Sequence, residues 1–131
     1  GVVEAILEAR AVIVCPSNPI TSVGPILAVP GIAQALGESR ATALAISPIV
    51  GGEAVSGPAG RLMAACGLPV SAVGVAQVYA PWLDTIVLDQ RDAGLAAELA
   101  ALGVSAVTTD TLMTSPEKEI ALARRILDAL R

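Results

Sequence analysis

The 131-residue chain is 54% hydrophobic and only 15% charged, and its 8 Lys and Arg against 12 Asp and Glu give a formal net charge of -4. That balance is enough for one packed domain; it excludes intrinsic disorder and the basic footprint of a nucleic-acid or anionic-membrane binder. With 25 alanines, 12 glycines, no Phe and only Tyr79 and Trp82 as aromatics, the core must close on small and branched side chains, and base-stacking platforms are excluded.

Residues 1–8 read as an amphipathic helix without a methionine or a basic stretch, so they are not a secretion signal but resemble a cut inside a gene. Val12-Ile13-Val14-Cys15 is the first of four short β-rich runs, followed by a Pro-, Ser- and Asn-rich loop and an apolar helical stretch, 26–36, broken near Pro30. Ala43-Leu44-Ala45-Ile46-Ser47 is the second run, followed by helix-like spacing over 57–66 and 73–83. Thr85-Ile86-Val87-Leu88 is the third, with helical spacing over 92–102, and Val104-Ser105-Ala106-Val107-Thr108 is the fourth. In the last helix Ser115 is placed to cap, Pro116 suits the first turn, and Ile120, Ala123, Leu127 and Leu130 fall on one face. Arg124, Arg125 and Arg131 favour its carboxyl end.

Strands alternating with helices predict an α/β fold, a Rossmann-like three-layer sandwich with a mostly parallel sheet. Four strands make a small sheet, so the expectation is a single domain of which residues 1–131 are the carboxyl-terminal part, with the sheet incomplete on its amino-terminal side. The mean hydropathy of +0.72 raises the question of a membrane span. Of the two long uncharged stretches, 11–37 is broken by Pro16, Pro19, Pro25 and Pro30, and 62–83 by Gly67, Pro69, Gly74 and Pro81; neither has the length of a span. Two cysteines, Cys15 and Cys66, make no disulfide framework and fit a reduced, cytoplasmic setting. Cys66 and Met63 are expected in the core. Histidine is absent, which removes imidazole bases, Ser-His triads and His-containing metal sites.

Ligands of doubly wound sheets bind beyond the carboxyl ends of the strands. After the first run comes Cys15-Pro16-Ser17-Asn18-Pro19-Ile20-Thr21-Ser22-Val23-Gly24-Pro25, which serves either as a phosphate cradle or as an ordinary turn and cap. After the second comes Ser47-Pro48-Ile49-Val50-Gly51-Gly52-Glu53, whose paired glycines suit close backbone approach or a tight crossover; no complete GxGxxG or Walker pattern is present. Asp89 and Asp110 follow the third and fourth runs, as candidates to hold Mg²⁺ or orient a hydroxyl, or as a cap and a turn residue.

The string from Pro16 to Leu27, continuing through Pro30-Gly31-Ile32, resembles the signature of the 2-phospho-L-lactate transferase family of coenzyme F-420 biosynthesis. Three further stretches agree in order: Ser47 to Gly52 with Gly57-Pro58-Ala59, Ser71 to Ala76 with Tyr79 and Leu83-Asp84, and Thr109-Asp110-Thr111-Leu112-Met113. The resemblance implies transfer of a phospholactyl group, or in bacteria a phosphoenolpyruvyl group, from a guanosine diphosphate conjugate to the ribityl hydroxyl of a deazaflavin. GMP is the product released, and Mg²⁺ the cofactor. It also implies that Ser17, Asn18, Thr21, Ser22, Gly51 and Gly52 contact the diphosphate or nucleotide. Asp110 is the catalytic candidate, and the metal ligands are expected in the family's amino-terminal part. Cys15 stands where the family often has glycine. Implied partners are the guanosine diphosphate conjugate and the deazaflavin acceptor, with no nucleic acid and no membrane; a homodimer is left open. An alternative resemblance, to the gluconeogenesis-factor family, implies a regulatory binder of a uridine nucleotide sugar. Asn18→Ala is expected to weaken nucleotide binding with little change in stability.

Overall fold

Branched aliphatic runs separated by crossovers pair in parallel, and the computed structural model, which describes residues 1–131, follows that rule in chain order. Helix α1 (Val2–Glu8) leads into β1 (Ala11–Val14). The first crossover contains a π-helical turn (Pro19–Val23), α2 (Gly24–Leu27) and α3 (Ile32–Glu38), and returns to β2 (Thr42–Ile46). The second begins with a two-stranded hairpin, β3 (Ile49–Val50) and β4 (Glu53–Ala54), then α4 (Ala59–Ala65) and α5 (Ala72–Tyr79), before β5 (Thr85–Asp89). A 3-10 turn (Gln90–Leu95) and α6 (Ala96–Ala101) lead to β6 (Ser105–Thr109), and α7 (Pro116–Ala129) closes the chain. The main sheet has the order β1-β2-β5-β6, every neighbour parallel.

Period-two alternation divides each inner strand between two cores. Ala43, Ala45, Ile86 and Leu88 face a cluster of 17 buried residues that receives Val23, Met63 from α4, five residues of α5 and Leu99 from α6. Leu44, Ile46 and Val87 face the other way and meet Leu122 and Ile126 of α7, with Val107, Ala129 and Leu130 packed at the margin. All three crossovers therefore pack on one face and α7 alone on the other. Tyr79 and Trp82 stack with centroids 5.2 Å apart inside the larger cluster, each contributing apolar burial of about 2–3 kcal/mol. Burial raises the Tyr79 phenol above its ordinary value.

α5 approaches the segment before it so closely that only glycine fits at position 74. A Cβ there would overlap the Pro69 carbonyl oxygen and come within 2.9 Å of the Met63 Cε. At the amino ends of the strands Asp84 ties the sheet: its Oδ2 accepts the Ala43 N–H at 2.8 Å and its own N–H donates to the Ala43 carbonyl at 3.0 Å.

Several sequence expectations need correction. The β-runs hold to within a residue; Ser47 leaves the ladder but still donates its N–H to the Val87 carbonyl at 2.9 Å. The helix expected over 73–83 stops at Tyr79, ahead of Pro81, which cannot donate a helical hydrogen bond. The stretch expected as helix over 92–102 begins as a 3-10 turn. In α7 Ser115 does cap, accepting the Lys118 N–H at 3.4 Å, but Ile120 and Leu127 are exposed and Leu122 and Ile126 are buried. Cys66 is exposed whereas Met63 is fully buried, because Cys66 lies at the end of α4 and Met63 faces the sheet. Both cysteines are free. No single helix is long and apolar enough to cross a membrane.

Candidate functional site

The carboxyl ends of β1, β2 and β6 surround a cleft of about 230 Å³. Pro16, Ser17 and Asn18 enter it after β1, Ser47 and Pro48 after β2, Val55, Ser56 and Ala59 after the β3–β4 hairpin, and Thr111 and Met113 after β6. Parallel pairing puts these ends on one edge of the sheet, so loops from distant parts of the sequence converge there.

Asn18 shapes the first loop. Its Oδ1 accepts the N–H of Ile20 at 2.9 Å and of Thr21 at 3.3 Å, while its backbone carbonyl accepts those of Ser22 and Val23, each at 3.1 Å. Pro19 has no N–H to satisfy, so it starts the turn without an orphan donor. With the amide oxygen engaged, the Asn18 NH₂ is the group left for a ligand. Asn18 is thus a cap as well as a cleft residue. Its truncation is expected to cost stability through the lost cap, a contribution that the sequence expectation for Asn18→Ala did not include.

The inner wall is built of buried polar groups. Ser47, 2% exposed, donates its hydroxyl to the Ile49 carbonyl at 3.0 Å and accepts the Ile49 N–H at 3.1 Å. Asp89, also 2% exposed, accepts the Arg91 N–H at 3.1 Å on Oδ1. On Oδ2 it accepts the Thr111 N–H at 3.1 Å and the Thr111 hydroxyl at 3.4 Å. The Arg91 Nε lies 3.7 Å from Asp89 Oδ1. Asp89 is both the cap of the 3-10 turn and the anchor of the loop after β6, and these contacts offset the cost of burying a carboxylate.

The other sequence candidates lie outside the cleft lining. Thr21 and Ser22 are exposed on the π-helical turn. Gly51 and Gly52 form the two-residue turn of the β3–β4 hairpin, with φ of +60° and +82°, the primed-turn geometry that favours glycine at both positions. The Gly51 N–H is held by both Asp92 carboxylate oxygens, at 3.0 and 3.1 Å. Asp110 accepts the Leu112 N–H at 3.0 Å and pairs with Lys118 Nζ at 2.8 Å. The Lys118 hydrogen bond, the Leu112 N–H and the nearby Arg91 charge hold the Asp110 carboxyl below its usual range. Ser47 and Thr111, which sequence reasoning quoted only as parts of motifs, line the cleft. Their position at strand ends was the available signal.

No three Asp, Glu, Cys or His side chains gather where they could by themselves hold a metal ion. Asp89, Asp92 and Asp110 are each engaged by backbone N–H groups, and Asp110 also by Lys118.

The parallel sheet, its covering helices and a cleft at the strand ends define an α/β protein of Rossmann-like type. Its fold matches the crystal structure of protein BH3568 from Bacillus halodurans with a TM-score of 0.65 and 22% identity, over 95% of this chain and 45% of that one. The family model for 2-phospho-L-lactate transferase CofD matches residues 1–126, and the chain belongs to that family. It is 45% identical over 128 residues to the 2-phospho-L-lactate transferase of Methanosarcina mazei, covering 98% of this chain and 42% of the relative. With that of Methanosarcina acetivorans it shares 48% over 126 residues, covering 96% and 40%. The chain therefore spans about two-fifths of the length of these relatives.

Proposed function

We propose that these residues form the phosphate-side half of the active site of a transferase in coenzyme F-420 biosynthesis. The enzyme moves a phospholactyl or phosphoenolpyruvyl group from a guanosine diphosphate conjugate to the ribityl hydroxyl of 7,8-didemethyl-8-hydroxy-5-deazariboflavin. The observation that carries this reading is the family match over residues 1–126, together with the Ser17-Asn18 loop opening into the cleft.

In the reaction the acceptor oxygen forms a bond to the phosphorus bearing the lactyl or enolpyruvyl group. The bond from that phosphorus to the GMP oxygen breaks, GMP leaves, and the hydroxyl proton passes to solvent or a base. This chemistry depends on positioning and on donors aimed at the phosphoryl oxygens, so the absence of histidine is no obstacle. Within this chain the donors are the Asn18 NH₂ and the Ser17 hydroxyl. Mg²⁺, if the family's cofactor serves here, takes its ligands from outside these 131 residues, and the setting is cytoplasmic.

Calorimetric titration of the full-length chain carrying this segment, with GDP and separately with a uridine diphosphate sugar, tests the reading. Preference for GDP, followed by GMP release when deazaflavin meets the conjugate, is the expected result. Preference for the uridine ligand would move the protein to a regulatory nucleotide-sugar binder and remove the transferase assignment.

A further inference from the structure

The hydroxyl protons on the inner wall of the cleft are already committed. Ser47 spends its single proton on the Ile49 carbonyl and one of its two acceptor positions on the Ile49 N–H, which leaves it able only to accept. Thr111 donates to Asp89 Oδ2, the oxygen that also accepts the Thr111 N–H, so its proton is spent as well and its lone pairs remain. At 2% and 6% exposure neither side chain is free to turn into bulk water. Across the cleft the balance is reversed: the Asn18 amide oxygen is consumed by Ile20 and Thr21 and its NH₂ remains. The cleft thus has a donor side and an acceptor side.

A phosphoryl oxygen accepts hydrogen bonds and is repelled by an acceptor wall, so it belongs beside Asn18. We propose that Ser47 and Thr111 recognise an alcohol of the substrate, accepting its O–H, and that Asp89 is the positioning residue that keeps the Thr111 hydroxyl turned to receive it. This rests on the transferase reading and deepens it. The alcohol has two sources, the ribose of the guanosine diphosphate conjugate and the ribityl chain of the deazaflavin.

The test is a binding series on the full-length chain in two arms. GDP is compared with its 2′-deoxy and 3′-deoxy forms, and the deazaflavin with analogues lacking single ribityl hydroxyls. In one arm, loss of one hydroxyl weakens wild-type binding about tenfold. In the same arm Thr111→Val binds the parent ligand about tenfold more weakly and no longer distinguishes it from the deoxy form, whereas Thr111→Ser restores the distinction. Thr111→Val keeps its N–H on Asp89 but removes the hydroxyl donor from that buried carboxylate, so it is expected to melt somewhat below the wild type. The ligand-side deletions require no variant, so a misfolded Thr111→Val leaves the test standing. If the wild type binds GDP or the deazaflavin but treats every deoxy analogue as the parent, this inference is overturned and the transferase reading survives. The same follows if Thr111→Val weakens parent and deoxy ligands equally. If the wild type binds neither compound, both fall together.

Discussion

The two faces of the sheet are built from the same strands and are not equally defended. One is sealed by three crossovers and a 17-residue cluster; the other rests on a single helix and a cluster of five. On the thin side an apolar groove of about 300 Å³ stays open beside α7, lined by Ile13, Ile46 and Leu127 among others. Interior packing tolerates neither voids nor overlap, so the sealed face is expected to respond steeply to changes in volume. The thin face can relax towards solvent and should respond less.

The sharpest break in the sealed face is Gly74→Ala. Its new Cβ overlaps backbone at Pro69 rather than a flexible side-chain end, and a loss of about 3 kcal/mol or more is expected. Chemical denaturation of the variant would read it, and a loss below about 1 kcal/mol would mean that α5 can shift away. On the thin face Leu122→Ala should cost about 2–3 kcal/mol, the lower part of the usual range for such truncations. A loss larger than that at Gly74 would reverse the ranking of the two faces.

Smaller still is Asn18→Ala. Loss of the cap to Ile20 and Thr21 removes about 1 kcal/mol of stability, and the full-length chain should also bind GDP more weakly. Weakened binding with an unchanged melting temperature would show that Asn18 serves the ligand alone.

The Asp110–Lys118 pair ties α7 to the loop after β6, and its effect is one of pH rather than size. The folded carboxyl titrates below its ordinary value of 3.8. Its contribution is therefore present above the unfolded range and disappears only as pH falls through the lowered folded value. Compared with Asp110→Asn, the wild type should show its advantage at neutral pH and lose it in stronger acid. Equal stabilities at every pH would remove the pair from the attachment of α7. Smallest of all is Leu127→Lys, on the exposed side of α7, expected within about 0.5 kcal/mol of wild type.

The strands were readable because runs such as Thr85-Ile86-Val87-Leu88 are too short and too branched for anything else. The orientation of α7 was not. Its sequence offers two apolar stripes, Ile120 with Leu127 and Leu122 with Ile126, and local spacing cannot say which one the sheet will meet. The cleft divides in the same way. Ser17 and Asn18 were legible from their place after β1. Thr111 was not, because its part in the wall depends on Asp89, 22 residues away in sequence. Paired glycines at 51 and 52 left close backbone approach and a tight crossover both open, and their positive φ angles are those of a two-residue hairpin turn.

The strand order β1-β2-β5-β6 also bears on how the chain reaches this state. Every new strand of the main sheet adds to the edge formed by the strand made before it, so no pairing waits for a distant segment. Contact order within the sheet stays low for a parallel architecture, and each closure spans one crossover. On a ribosome, where chains emerge at about 5–20 residues per second, the sheet can grow in the order of synthesis. The α7 face then closes after the four strands have paired, once Leu122 and Ile126 have emerged.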